Sequence, residues 1–242
     1  ETDHTLYYKK SCPYCQKVLR FMQDNKINLD MREAGAMVHV TFGINIVVDT
    51  SSRHSGLFCG EFDKAWQASC SYVQKGYGLP IDYQADVVIA SCGGFPKDLN
   101  FYQSTKTLFN ASRAVKEGGT LIMLAECPEG SGSKDFFDWI KPLSKGCLDE
   151  ALRASFTIGG YIFYAACESI RRSKTLLLSS MEPELVRDMG VRSFKDMKDL
   201  LAEVDFNGKD VYVIPYGGSV LPQTKEAYER ICREAEENGG AK

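Results

Sequence analysis

Along this chain, uninterrupted apolar runs alternate with glycine-bearing loops and with segments whose apolar residues recur at helical spacing. Asp86 to Ala90 (DVVIA) and Thr120 to Ala125 (TLIMLA) are continuous apolar runs, the pattern of strands buried on both faces of a parallel sheet. Between them lie the loop Ser91-Cys92-Gly93-Gly94 and a helix predicted to begin at an Asp98 N-cap, run to about Lys116 and end at Gly118-Gly119. Strand, glycine loop, helix and strand make a right-handed crossover unit. The alternation continues with a helix from Ile158-Gly159-Gly160 to about Arg172 and a strand over Thr175 to Leu178. Helices are then predicted over Glu184 to Met189 and Ser193 to Val204, and a strand over Asp210 to Pro215. Upstream, Phe42 to Asp49 and Gly56 to Gly60 read as β-rich, and Glu61 to Gly76 as a helix with Phe62, Ala65, Trp66, Ser69 and Val73 on its apolar face. These units predict an α/β fold, an open, mostly parallel sheet with helices on both faces, whose ligands sit beyond the carboxyl ends of strands.

The first residues form a separate pattern. Residues 5–8 read as a strand, Pro13 to about Asn25 as a helix and Ile27 to Met31 as a second strand, a βαβ thioredoxin-like fragment. The character changes near Glu33-Ala34-Gly35-Ala36, which sets expected boundaries of 1–35 for the fragment, 36–222 for the large α/β domain and 223–242 for a charged helical tail. A βαβ piece of this size cannot bury a core by itself.

Composition narrows the partners. With 242 residues, 44% of them apolar, and a net charge of -3, the chain gives no electrostatic reason to bind nucleic acid or an anionic membrane. No apolar run approaches the roughly 18 residues of a membrane span, and the start lacks signal-peptide order, so a cytoplasmic location is expected. Nine cysteines, scattered singly apart from Cys12 and Cys15, argue for reduced thiols.

Cys12 and Cys15 stand at the start of the first predicted helix, where the macrodipole and flanking Lys9 and Lys10 favour a thiolate on Cys12 and Cys15 can resolve a mixed disulfide. The stretch YYKKSCPYCQKVLRFM resembles a glutaredoxin over residues 4–33. The resemblance implies Cys12 as nucleophile, Cys15 as resolving thiol and glutathione as co-substrate. A glutaredoxin also needs a proline turn facing the cysteines, then a hairpin and a last helix, and none follows. A thiol-disulfide oxidoreductase is therefore the alternative function, and a non-catalytic fusion or truncation remnant its plain counterpart.

Residues 36–222 resemble the C-terminal domain of the nickel-pincer lactate racemase family, most specifically at Gly94-Phe95-Pro96-Lys97-Asp98 followed by Tyr102-Gln103 and Lys106. Independently of that resemblance, Gln103 and Lys106 lie three residues apart near a helix start that follows a buried strand. There, free N–H groups, dipole and ammonium would together favour a carboxylate or phosphate. A solvated pair on an amphipathic helix is the plain alternative. The resemblance implies that Gln103 and Lys106 contact a small 2-hydroxyacid such as lactate, or the charged groups of a nickel-pincer nucleotide. Gly93, Gly94, Glu126 and Gly130 would shape the same crevice, or simply form tight turns and a strand end.

It also implies acid-base histidines, a cofactor-tethering lysine and a metal-ligating histidine on an N-terminal lobe. This chain has His4, His39 and His54, none in a matching motif and none at metal-ligand spacing, so no metal site is expected within it. Where a Gly-Gly-His-Lys pattern would be expected, Gly159-Gly160 is followed by Tyr161-Ile162. Gly93-Gly94 is a weak echo of a dinucleotide loop, without the G-x-G-x-x-G spacing of a dehydrogenase. The expected function is an isomerase-family binding module that is inactive without the N-terminal lobe.

Overall fold

The computed structural model describes residues 42–49, 53–132 and 135–239. Their contacts divide into two compact units, one holding the described residues up to Gly76 together with those from Arg230 onward, the other Tyr77–Glu229. The expected fragment at 1–35, with Cys12 and Cys15, lies outside the described residues, as do His4 and His39.

In the first unit, β1 (Gly43–Val48) and β2 (His54–Gly60) pair antiparallel. They are followed by helix α1 (Phe62–Tyr77). One face of the hairpin packs on α1: the Phe58 and Tyr72 rings lie 5.4 Å apart, and the Tyr72 hydroxyl donates to the Ser55 carbonyl at 2.7 Å.

The second unit opens with β3 (Gly78–Ile81) and β4 (Ala85–Ser91), then α2 (Phe101–Ala111) and β5 (Val115–Leu124). A 3-10 turn (Phe137–Trp139) and the short helices α3 (Ile140–Ser144) and α4 (Leu148–Ala154) lead to α5 (Ile158–Arg171) and β6 (Lys174–Leu178). Then come α6 (Glu184–Arg187), β7 (Val191–Phe194), α7 (Met197–Ala202), β8 (Val211–Ile214), β9 (Leu221–Thr224) and α8 (Lys225–Gly239). Five strands form one parallel sheet in the order β7-β6-β5-β4-β8, and β3 pairs β9 in a separate parallel pair.

The sheet explains the apolar runs. Val87, Ile122 and Leu176 are wholly buried on one face against Leu200 of α7, with Ile89, Leu124, Leu178 and Phe194 around them. By strand alternation Val88, Leu121 and Leu177, also wholly buried, face the other way, the side on which α2 and α5 pack. Helices thus cover both faces, as the continuous runs predict. Among the described residues, no helix is long and apolar enough to cross a membrane.

Three sequence expectations are corrected here. The helix after β4 stops at Ala111, and Lys116 lies within β5, where its ammonium donates to Asp86 at 2.9 Å. The segment Ser193 to Val204 is two elements: β7 carries Val191–Phe194 into the sheet, and α7 starts only where Asp196 accepts from the Lys198 and Asp199 amides. Asp98 is not the N-cap of α2; Asn100 is.

Candidate functional site

Asn100 has extended backbone (φ -154°, ψ 167°), and its Oδ1 accepts from the Gln103 amide at 3.0 Å. The other amides of the first turn are also engaged. Phe101 N–H donates to the Gly130 carbonyl at 2.8 Å, Tyr102 N–H to the Ser131 carbonyl at 3.1 Å and Ser104 N–H to the Asn100 carbonyl at 3.1 Å. The expectation that open N–H groups at this helix start would hold an anion is therefore corrected: all four are occupied by protein acceptors. Asp98, buried to 8% exposure, turns the other way and accepts from the Glu126 amide at 3.3 Å.

What remains for a ligand is the side-chain pair on the first two turns. Lys106 Nζ donates to Gln103 Oε1 at 2.7 Å. An ammonium has only donors, so the Gln103 amide oxygen must face it and the amide NH2 must point away. The contact leaves donors on both residues, the rest of the ammonium on exposed Lys106 and the Nε2 group on half-buried Gln103. Adjacent donors of this kind match the two oxygens of one carboxylate.

The other predicted residues divide by role. Gly93 (φ +88°) and Gly94 (φ +75°) hold backbone conformations that L side chains rarely adopt. A Cβ at Gly93 would also stand 2.9 Å from the Tyr216 ring. The Gly93 amide donates to Ser91 Oγ at 3.0 Å, while the Ser91 carbonyl accepts from the Gly217 amide at 2.8 Å, which ties the loop after β4 to the loop after β8. At Glu126 the carbonyl accepts from the hydroxyls of Ser179 and Ser180, each at 2.8 Å, and the carboxylate belongs to an exposed residue at the end of β5. Gly130 (φ +63°) presents its carbonyl to Phe101 N–H. The backbones of Glu126 and Gly130 thus brace the start of α2.

The residues not foreseen in this brace are Asn100 and Gly132. Asn100 Nδ2 donates to Glu129 at 3.4 Å, and a Cβ at Gly132 (φ +82°) would lie 2.0 Å from Asn100 Cγ. An Asn three residues ahead of Gln103 is itself an N-cap signal, and it competes with Asp98 two residues earlier. At the other helix start, Thr157 Oγ1 caps the Gly160 amide at 2.9 Å, and a Cβ at Gly160 would be 2.3 Å from the Trp139 ring. Gly159-Gly160 is accordingly a packing device for Trp139 and Asp135, and Tyr161 beside it is buried.

A crevice of about 430 Å³ opens at the carboxyl ends of β4, β5 and β8, lined by Ile89, Ser91, Gly93, Leu124, Val213, Ile214, Pro215 and Tyr216. Its position follows from the strand order. The chain leaves β4 through α2 toward β5 on one side, and β8 lies on the other side, so the segments after β4 and β8 part at a topological switch point.

A nickel centre does not fit the described residues. None of their His, Cys, Asp and Glu side chains gather in a group of three able to hold a metal ion. His54 is an exposed residue opposite Val48 in the hairpin. Near the site, burial raises the Cys92 thiol and pushes Cys127 up to about 11, so both remain protonated, the form that binds metal poorly. Cys127 Sγ instead lies 3.5 Å from Ser104 Oγ inside the core.

The family model of the lactate racemase C-terminal domain matches residues 81–221. A lactate racemase from Thermoanaerobacterium thermosaccharolyticum is 31% identical, the match covering 84% of this chain and 50% of that protein. One from Lactiplantibacillus plantarum is 32% identical over 54% of this chain and 31% of that protein. The chain thus spans half or less of the length of these relatives. Among solved structures, the T. thermosaccharolyticum lactate racemase apoprotein superposes with a TM-score of 0.71 at 29% identity, over 84% of this chain and 50% of that one. A Thermotoga maritima protein shares the fold alone, with a TM-score of 0.54 at 14% identity over 76% of this chain and 49% of that one. With more than half of its residues matched to the domain model and a sheet of the same fold, the chain belongs to the lactate racemase C-terminal domain family.

Proposed function

We propose that this chain is the substrate-binding lobe of a lactate racemase-like 2-hydroxyacid isomerase, and that Gln103 and Lys106 hold the substrate carboxylate. The observation that carries the reading is the 2.7 Å bond from Lys106 Nζ to Gln103 Oε1, which holds ammonium and amide together and leaves N–H donors on both. One carboxylate oxygen accepts from the ammonium and the other from the amide. The 2-hydroxyl and the C2 hydrogen then project away from α2, toward whatever group carries out the chemistry.

The lobe positions and does not react. Moving hydrogen at C2 requires a proton acceptor for the hydroxyl and a hydride acceptor for C2, and among the described residues the site supplies neither: its thiols are buried and protonated, and its lysine is spent on the carboxylate. The nickel-pincer nucleotide implied by the family would accept hydride when bound, and its metal ligands are not among the described residues of this chain.

The test is a pair of measurements on the purified chain. L-lactate titrated by calorimetry should bind weakly, and Lys106→Met should reduce that affinity about tenfold, the scale of one charge-assisted hydrogen bond. Chiral analysis of the same mixture should detect no D-lactate. Equal binding by Lys106→Met, or racemisation by the chain, would overturn the proposal.

A further inference from the structure

Lys97 is a second cation at the carboxyl end of the sheet, separate from the Gln103–Lys106 pair. It is half-buried, its stem passes over Gly93 with Cδ 3.8 Å from where a Cβ would stand, and its Nζ donates to Ser219 Oγ at 3.2 Å. The ammonium sits 5.8 Å from the centroid of the Tyr216 ring. Among the described residues Lys97 has no carboxylate partner, whereas Lys116 and Lys195 are each ion-paired. A partly desolvated ammonium satisfied only by a hydroxyl and a ring face keeps two N–H donors and most of its charge available.

Tyr216, which receives this ammonium, is also a wall of the 430 Å³ crevice. The other walls are mostly apolar, with Ile89, Leu124, Val213, Ile214 and Pro215 around a polar edge at Ser91. Val213 is 66% exposed and Tyr216 51% exposed, so apolar surface of the crevice stands open to solvent, and the Tyr216 ring also faces the Lys97 ammonium. A bare carboxylate or phosphate ion would satisfy Lys97 and leave this surface wet. A neutral hydrocarbon would cover the surface and leave the cation unmatched.

The geometry points to a second ligand site for an aromatic monocarboxylate, with its carboxylate on Lys97 Nζ and Ser219 Oγ and its ring in the crevice between Tyr216 and the ends of β4, β5 and β8. The site is independent of the proposed role of Gln103 and Lys106. A ring laid against these apolar walls adds an apolar contribution to the charge-assisted bond, so ring and charge should both be required.

The experiment is a saturation-transfer and titration series by NMR on the full chain with benzoate, phenylacetate and 3-phenylpropionate, using acetate and benzyl alcohol as ring-less and charge-less controls. At least one aryl acid should bind about tenfold or more tightly than either control. Lys97→Met should abolish that difference, Lys97→Arg should retain it, and Lys106→Met should leave the binding of the aryl acid at Lys97 in place. Circular dichroism melts that match wild type confirm that the variants are folded; should Lys97→Met fail to fold, Tyr216→Ala supplies the same test by removing a wall of the crevice. Aryl acids no tighter than acetate, a Lys97→Met or Tyr216→Ala protein that binds as wild type, or loss of binding in Lys106→Met would each overturn the inference.

Discussion

The loops that follow β4 and β5 leave the sheet side by side and are put to opposite uses. The loop after β4, through Gly93 to Asn100, folds Lys97 over Gly93 toward Ser219 and leads straight to Gln103 and Lys106. The loop after β5, through Glu126 to Gly132, turns its backbone inward: Gly130 and Ser131 accept from the first amides of α2, and Glu126 and Cys127 donate to Asp98. One loop leads into α2 and its polar side chains, and the other holds the start of that helix. An anion site here depends on long side chains, because the backbone donors that usually make a helix start attractive to anions are occupied by the neighbouring loop.

Breaking the brace should have the largest effect. Gly132→Ala places a Cβ against Asn100 and forces an L residue to φ +82°, a strain on the order of 1–3 kcal/mol before any displacement of the cap. A fall of several degrees in Tm by calorimetry is expected, with carboxylate binding lost as well. Asn100→Ala should cost about 1 kcal/mol, the usual value of an N-cap, and should weaken lactate binding because the Gln103 amide loses its anchor. Lys106→Met separates the two loops cleanly: binding falls and the melting temperature holds, since the exposed Lys106–Gln103 contact contributes little to folding.

The smallest effect expected is on acid stability at the opposite end of the sheet. Hydrogen bonding to Lys116 and the Asp210 amide lowers the Asp86 carboxyl below its usual 3.8, and Arg192 lowers that of Glu203 below 4.5. Both are depressed in the folded state, so each contribution is complete at neutral pH and is lost as pH falls below those values. Both side chains keep 33% exposure, so water screens their ion pairs, and Asp86→Asn should flatten only slightly the loss of stability measured by urea unfolding between about pH 5 and pH 3.

The sheet was legible because its strands are buried on both faces, and continuous apolar runs such as DVVIA and TLIMLA are the pattern of such strands. The helix boundaries were less so. Asp98 and Asn100 are both good caps, and only the approach of the loop after β5 decides between them; that approach is a tertiary fact with no local sequence signature. Ser193 to Val204 mixes polar and apolar residues at a spacing a helix can use, yet Val191 and Phe194 gain more by extending the sheet beside β6. For the proposed carboxylate site, spacing and a place after a buried strand made Gln103 and Lys106 candidates, and the family resemblance singled them out. Lys97 was visible only as part of a motif, because the residues its ammonium meets, Ser219 and Tyr216, lie more than a hundred residues further along.

The most direct measurement is a 15N–1H spectrum of the Gln103 side-chain amide during titration with L-lactate. If ammonium and amide share one carboxylate, the Nε2 protons should shift with saturable dependence on lactate, and the shift should disappear in Lys106→Met. A Gln103 amide that does not respond to lactate, or responds equally without Lys106, would contradict the account.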